Sequence, residues 1–307
     1  MNDTSGEFDF IRSLQSRIKA SPYVRLGIGD DAAILAETPA QTLVTTDMLM
    51  EGTHFEIPPA TPLQVGHKAL AVNLSDIAAM GGTPATAFVS VALPRTRPAS
   101  FREEVFQGIQ SLADRFHVSL AGGDTNSWDG PFVIAVTVLG IPTRPPVLRS
   151  GAQPGDWIMV TGDFGGSLLG KHLNFTPRVR EALLLQQEVK LHAMQDVSDG
   201  LSADLYHILE ESRAGARLFA DRIPISQGAV QSAVDGRTPL EHALGDGEDF
   251  ELLFTLSPKE GEKLLRNPPF DTPLTHIGEI TSDPRALLVR PDGTEVPLPR
   301  IGWTHAL

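Results

Sequence analysis

The sequence contains no cysteine. Disulfides, thiolate zinc sites and cysteine nucleophiles are therefore excluded. No apolar run approaches the roughly 20 residues that a membrane-spanning helix needs, so no membrane partner is expected. Basic residues are in deficit: 25 Lys and Arg stand against 38 Asp and Glu, a net charge of −13. With no run of Lys or Arg, the basic stripe of a nucleic-acid binder is missing, and nucleic acid is not an expected partner. The opening "MNDTSGEFDF" is acidic and lacks the basic-then-apolar pattern of a leader, which makes the cytoplasm the expected compartment. H-E-x-x-H and G-x-S-x-G are both absent, so neither a zincin site nor a hydrolase elbow is indicated.

At 307 residues the chain can form one large domain or two ordinary ones. Apolar periodicity predicts a helix near 7–20, a strand at 42–49, and a helix over 62–82 that Gly81-Gly82 stops. A strand "ATAFVSVAL", a helix at 98–116, and strands "VSLAGGD" and "FVIAVTVLG" follow. The stretch "IPTRPPVLRSGAQPGD" (141–156), with four prolines and two glycines, reads as a domain junction. Beyond it come a strand "DWIMVTG", helices at about 166–173 and 178–192, a short strand "MQDVS" and a helix "GLSADLYHILEES". A strand "FELLFTL" and shorter strands near 274–280 and 286–290 close the chain. Helices and strands interleave in both halves, which predicts two α/β or α+β domains, 1–142 and 143–307.

Aspartates recur in one context, where an apolar run ends beside Gly, Ser or Thr. They are Asp30 and Asp31 in "GIGDDAA", Asp47 in "VTTDML", Asp124 in "LAGGDTN", and Asp196 and Asp199 in "MQDVSDGL". Asp76 differs, because it lies within the otherwise apolar helix "NLSDIAAMGG", where an isolated carboxylate is costly to bury. Any one of these is an ordinary turn or cap residue. As a set they are hard oxygen donors suited to Mg²⁺, and the hydroxyls of Thr45 and Thr46 beside Asp47 fit the same chemistry. Spacing alone does not say whether they converge.

Two motifs fail on inspection. "GGSLLGKH" places Gly165, Gly170 and Lys171 as in a P-loop, but His172 stands where Ser or Thr must bind the metal. A structural turn, with backbone amides near an anion, is the alternative. "DVSDGLSADLYH" has Gly200 out of place for a calcium loop, and His207 stands where a bidentate Glu is required. Of nine histidines, His54 in "EGTHF" is the one nearest the acidic set.

"GEF", "GIGDDAA", "TTDMLMEGTHF", "KALAVNLSDIAAMGG", "AGGDTN", "RSGAQPGDWIMVTG", "DVSDGLSADL", "GDGEDFELLF" and a terminal "GW" occur in this order. Together they resemble the thiamine-monophosphate kinase family, within the aminoimidazole ribonucleotide synthetase-like superfamily. The likeness spans nearly the whole chain. It implies a two-domain α/β (α+β) fold and homodimers paired through N-terminal sheets. It also implies a site in the cleft between a chain's domains, and transfer of the ATP γ-phosphoryl group to thiamine monophosphate with several Mg²⁺ ions. Carried over residue by residue, it implies Asp31, Thr45, Thr46, Asp47, Asp76, Asp124, Asp196 and Asp199 as metal ligands. Gly123, Asp124, Arg149 and Ser198 correspond to ATP contacts, with Phe106 bordering the adenine. His54, Glu248 and Trp303 correspond to thiamine-phosphate contacts. A carboxylate and an aromatic face both suit a thiazolium cation. The pattern favours Asp31 over Asp30; the physics of the turn does not choose. Asp246 stands where relatives often carry another Gly, an extra charge near the substrate positions.

The implied acceptor is itself a phosphate, nucleophilic at neutral pH, so no general base is expected. Selenophosphate synthetase and the hydrogenase-maturation relatives use a reactive Cys or selenocysteine, which this chain lacks. An aminoimidazole ribonucleotide synthetase-like enzyme and a non-catalytic nucleotide- or metal-sensing module are the remaining alternatives.

Overall fold

The computed structural model describes residues 17–18, 22–26, 34–36 and 41–303. The Asp30-Asp31 turn and most of the expected first helix lie outside these residues. Two compact units are present. One comprises the described residues of Met1–Ile77 with Gly82–Thr143; the other comprises Ala78–Gly81 with the described residues of Arg144–Leu307.

In the first unit, β1 (Val24–Leu26) pairs with β2 (Ile34–Leu35). A separate sheet contains β3 (Leu43–Met50), β4 (Gly82–Pro94), β5 (Ser119–Trp128) and β6 (Val133–Pro142), in the order β3-β6-β4-β5. Helix α1 (Pro62–Ala79) leads from β3 into β4, and α2 (Ala99–Phe116) leads from β4 into the parallel β5. Strict alternation in β6 buries Ile134, Val136 and Val138 completely. Ile77 of α1 lies against Gly140 and Gly82, which puts α1 over that face. The opposite face carries Val44, Met48 and Met50, which are 63%, 57% and 40% exposed.

The two helices cross where glycines leave room. A Cβ on Gly66 would lie 1.9 Å from Val105 O, and one on Gly108 would lie 2.0 Å from Leu63 O. Backbone therefore packs on backbone at this crossing.

The second unit is built on a seven-stranded sheet. In chain order its elements are β7 (Trp157–Thr161), α3 (Val179–Glu188), β8 (Leu191–Asp196), α4 (Leu201–Ser212), β9 (Gly215–Phe219), α5 (Gln227–Ser232), α6 (Pro239–Gly245), β10 (Leu252–Leu256), α7 (Pro258–Arg266), β11 (Leu274–Thr281), β12 (Ala286–Val289) and β13 (Glu295–Pro297). The strand order is β13-β12-β9-β11-β7-β10-β8, with only β12 and β9 parallel. β10, flanked by β7 and β8, is buried at every position, Thr255 included. Leu201, Leu205, Ile208 and Leu209 fall on one face of α4 and enter the core with Val160 and Leu253.

The expected helix at 166–173 is instead two 3₁₀ turns, Ser167–Leu169 and Lys171–Leu173. Gly166 and Gly170, at φ 67° and 127°, break the chain into left-handed steps that an α-helix does not contain. The expected helix at 178–192 ends at Glu188, because Leu191 begins β8. Among the described residues no helix is long and apolar enough to cross a membrane.

Helix propensity alone predicts that Gly66→Ala stabilises the protein by about 1 kcal/mol. The crossing reverses the sign: the variant is expected to lose about 3 kcal/mol in urea unfolding, because backbone cannot yield as a side chain does. An unchanged midpoint would show that α1 and α2 do not meet there.

Candidate active site

The first unit places Thr45, Asp47 and Asp76 together. Alternation along β3 sends Thr45 and Asp47 to the same face as the buried Leu49, toward α1. There Thr45 Oγ1 donates to Asp76 Oδ2 at 2.5 Å. Burial pushes the Asp47 carboxyl up to about 7, and the Asp76 charge and a hydrogen bond shared with it push the same way. Two carboxylates and a hydroxyl make a hard oxygen set, and a divalent cation there would offset both the burial and the Asp76 charge that raise Asp47. The residues present fit Mg²⁺.

Thr46 does not join them. Its Oγ1 accepts from Thr137 Oγ1 at 2.9 Å on the opposite face of the sheet. The hydroxyl chemistry expected of Thr46 beside Asp47 is corrected by the pleat: neighbours in a strand point opposite ways. Asp124 is also apart. It lies on β5, with β6 and β4 between it and β3, so it sits about 14 Å from Asp47 across the sheet. It is exposed and accepts from Asn126 Nδ2 at 2.7 Å. Gly123 has a structural cause of its own, since a Cβ there would lie 1.7 Å from Val89 O on the paired strand. Phe106 is a core residue of α2, 8% exposed, with the Arg17 guanidinium 5.6 Å from its ring. Asp31 lies outside the described residues.

His54 sits in the turn that follows β3. Its Nδ1 accepts the Met50 N–H at 3.0 Å, which places the proton of the neutral ring on Nε2. Its carbonyl accepts from Nζ of the fully buried Lys68 at 2.7 Å.

The second unit gathers the C-terminal candidates. Glu248 N–H donates to Ser198 O at 2.7 Å, and Trp303 N–H donates to Asp199 O at 2.8 Å. These bonds tie both the "GDGEDFEL" turn and the terminal "GW" to the "DVSDG" loop. Asp196 ends β8, buried and in register with Leu252. Trp303 is 52% exposed, so its side chain does not fill the core. Arg149 is exposed, and its charge is felt by His207.

Asp199, Asp204 and His207 bring ligand atoms within 4.8 Å of one another. Asp204 had not been singled out by sequence. It is buried, accepts the Asp199 and Gly200 N–H groups at 3.0 Å each, and so holds the start of α4. An acid four residues after Gly200, at the head of an apolar-periodic helix, was the available signal.

Glu251 also escaped the sequence reading. Arg178 grips it in a fork, with Nε and Nη2 at 2.7 Å each, and Thr161 Oγ1 donates at 2.8 Å. Lys171 approaches both Glu251 and Asp163, so its ammonium serves this network rather than a phosphate loop. Burial opposes the lysine charge, but Glu251, Asp249 and Asp163 outweigh it and raise its pKa. Burial also pushes the Asp249 carboxyl up to about 8, although it accepts the Gly165 N–H. Asp246 is not a loose charge. It accepts the Gly166 N–H at 2.8 Å and pairs with Arg237 and His242.

Family models for AIR synthase related proteins match both parts of the chain, the N-terminal domain over residues 29–142 and the C-terminal domain over 153–289. The thiamine-monophosphate kinase of Rhodopirellula baltica is 44% identical over 283 residues, 89% of each chain. The crystal structure of the thiamine-monophosphate kinase from Stenotrophomonas maltophilia matches at 35% identity, with a TM-score of 0.79, covering 94% of this chain and 96% of that one. A structure of AaThiL complexed with AMPPCP and TMP matches at 30% identity and a TM-score of 0.77, over 100% and 99% of the two chains. The chain belongs to the thiamine-monophosphate kinase family. Hydrogenase maturation proteins HypE share the fold at about a fifth identity, with a TM-score of 0.77 in one case.

The kinase-family carboxylates give a pH signature. Asp47 and Asp249 have folded pKa values of about 7 and about 8, above their ordinary 3.8, so the folded chain holds protons that the unfolded chain has released. Their contribution to stability is therefore present at low pH and declines from about pH 4 to about pH 8. Urea unfolding of metal-free protein should show Asp47→Asn with a flatter decline through pH 7, the remainder belonging to Asp249. An identical slope in the variant would remove Asp47 from the strained pair.

Proposed function

We infer that the protein transfers the γ-phosphoryl group of ATP to thiamine monophosphate, giving thiamine diphosphate. The observation that carries this is the near-full-length likeness to kinases of that name. The oxygen donors of Thr45, Asp47 and Asp76 add chemical support.

The acceptor phosphate has a second pKa near 6 and is already an anion at neutral pH, so it attacks without a general base. The obstacle is repulsion between two polyanions. Mg²⁺, when bound, supplies the positive charge that offsets it. Asp47, Asp76 and the Thr45 hydroxyl are proposed to hold one such ion in the first unit; Asp31 and Asp124, and in the second unit Asp196 and Asp199, are proposed as ligands of other Mg²⁺ ions rather than of that one. His54, with Nε2–H as its donor, is assigned to the acceptor phosphate. Glu248 is assigned to the thiazolium cation, and the exposed ring of Trp303 to stacking. Arg149 offers a fork to the phosphates of ATP, and Gly123 and Ser198 offer backbone beside the nucleotide.

The family's homodimer is proposed to form through the open face of the four-stranded sheet. Val44, Met48 and Met50 put apolar area in water there, an arrangement typical of an interface.

Purified protein with ATP and Mg²⁺ should phosphorylate thiamine monophosphate and leave free thiamine, an alcohol that needs a base, essentially untouched. Comparable rates on both would refute the mechanism. Asp47→Asn should lower kcat on the order of a hundredfold or more, since Asn keeps size and one oxygen but not charge. If Asp47 only closed a turn, Asn would serve equally and turnover would stay at the wild-type level. Light scattering should give about 66 kDa, twice the 33.0 kDa chain, and Met48→Lys should move the mass toward one chain.

A further inference from the structure

His172 stands where a P-loop carries Ser or Thr, and the structure gives it a different partner. Its Nδ1 lies 2.6 Å from Glu248 Oε2, with the two side chains 9% and 22% exposed. A carboxylate only accepts, so Nδ1 carries the proton. Glu248 is held through its backbone as well: N–H donates to Ser198 O, and its carbonyl accepts from Ser167 Oγ at 2.6 Å. The backbone thus fixed is strained. Gly247, Glu248 and Phe250 have φ of 73°, 53° and 51°, and two of these are not glycine. Such conformations persist where surroundings over-determine them, and they cluster at ligand clamps. The Phe250 ring stacks on Phe175 at 4.1 Å and 11°. The short stretch from His172 to Phe175 therefore grips both strained residues, one through its carboxylate and one through its ring.

We propose that His172 is a positioning residue that holds the Glu248 carboxylate in one orientation to receive the cationic ring of the acceptor substrate. This rests on the reading that Glu248 faces that ring. A glutamate free in its three torsions must be ordered each time substrate binds, at a cost to affinity. His172 does that ordering in the free protein. Its effect falls on acceptor binding, and neither ATP binding nor the transfer step depends on it.

The test is steady-state kinetics on the full chain for wild type, His172→Ala, His172→Asn, Glu248→Gln and the His172→Ala/Glu248→Gln double variant. His172→Ala should raise KM for thiamine monophosphate about tenfold, with KM for ATP and kcat within about twofold. His172→Asn, whose amide nitrogen takes the place of Nδ1, should restore most of the loss. In the Glu248→Gln background, His172→Ala should add less than about twofold, because its action runs through Glu248. An unchanged KM for thiamine monophosphate, an equal rise in KM for ATP, or full additivity in the double variant would overturn the proposal. If His172→Ala does not fold, His172→Gln replaces it. Gln carries its donor one carbon further out, so equal KM values for Asn and Gln would then count against positioning. Wild-type protein inert toward thiamine monophosphate would overturn the functional reading and this proposal with it, and that result needs no variant.

Discussion

A carboxylate taken out of water keeps its charge only where donors or cations surround it. The acids of this protein differ in how they meet that condition. Glu251 lies in the fork of Arg178, Asp204 collects backbone N–H groups at the head of α4, and Asp246 is matched by Arg237 and His242. These groups brace the second unit. Asp47 and Asp249 do not meet that condition fully: burial raises them to about 7 and about 8, and neighbouring carboxylates, Asp76 beside Asp47 and Glu251 and Asp246 beside Asp249, push the same way. Evolution of a scaffold for stability alone favours an apolar pair at such a place. A retained repulsion is a feature that a cationic ligand explains.

Backbone geometry serves the same end. The segment from Gly245 to Leu252 divides its acids by direction. Asp246, Asp249 and Glu251 point into the turn from Gly162 to Ser167 and toward Arg178. The Glu248 carboxylate remains partly exposed. Left-handed steps at Gly247, Glu248 and Phe250 break the strand's alternation and produce that division. A regular strand would send Glu248 and Asp246 to one face.

Much of this was legible in the sequence. The alternation of "FVIAVTVLG" marked β6, and the helical spacing of Leu201, Leu205 and Ile208 marked α4. Asp76 stood out because an acid in an apolar helix demands a reason, and it does meet Thr45. Between 226 and 266 the sequence reading contains only the strand "FELLFTL", yet Thr238-Pro239 with Glu241 and Ser257-Pro258 with Glu260 are helix-start signals. They were overlooked because the helices that follow are short. Thr46's turning away from Asp47 was available from the period-2 alternation of β3, but the separation of Asp124 from Asp47 depends on strand order. Strand order is a property of pairing between distant segments, and local spacing contains no trace of it.

A carboxyl near 7 also invites another reading, since a group that titrates near neutrality is well suited to act as a general base. The two roles are incompatible at Asp47. A cation held by its oxygens would stabilise the ionised form and draw its pKa back down, and a weak base results. The acceptor decides between them. A phosphate with its second pKa near 6 arrives ionised and has no proton to surrender at neutral pH. A base at Asp47 would have no work, whereas a charge aimed at metal and phosphate would. The raised pKa of the ligand-free pair comes first from burial and then from the Asp76 charge, and a cation placed at its oxygens would offset both.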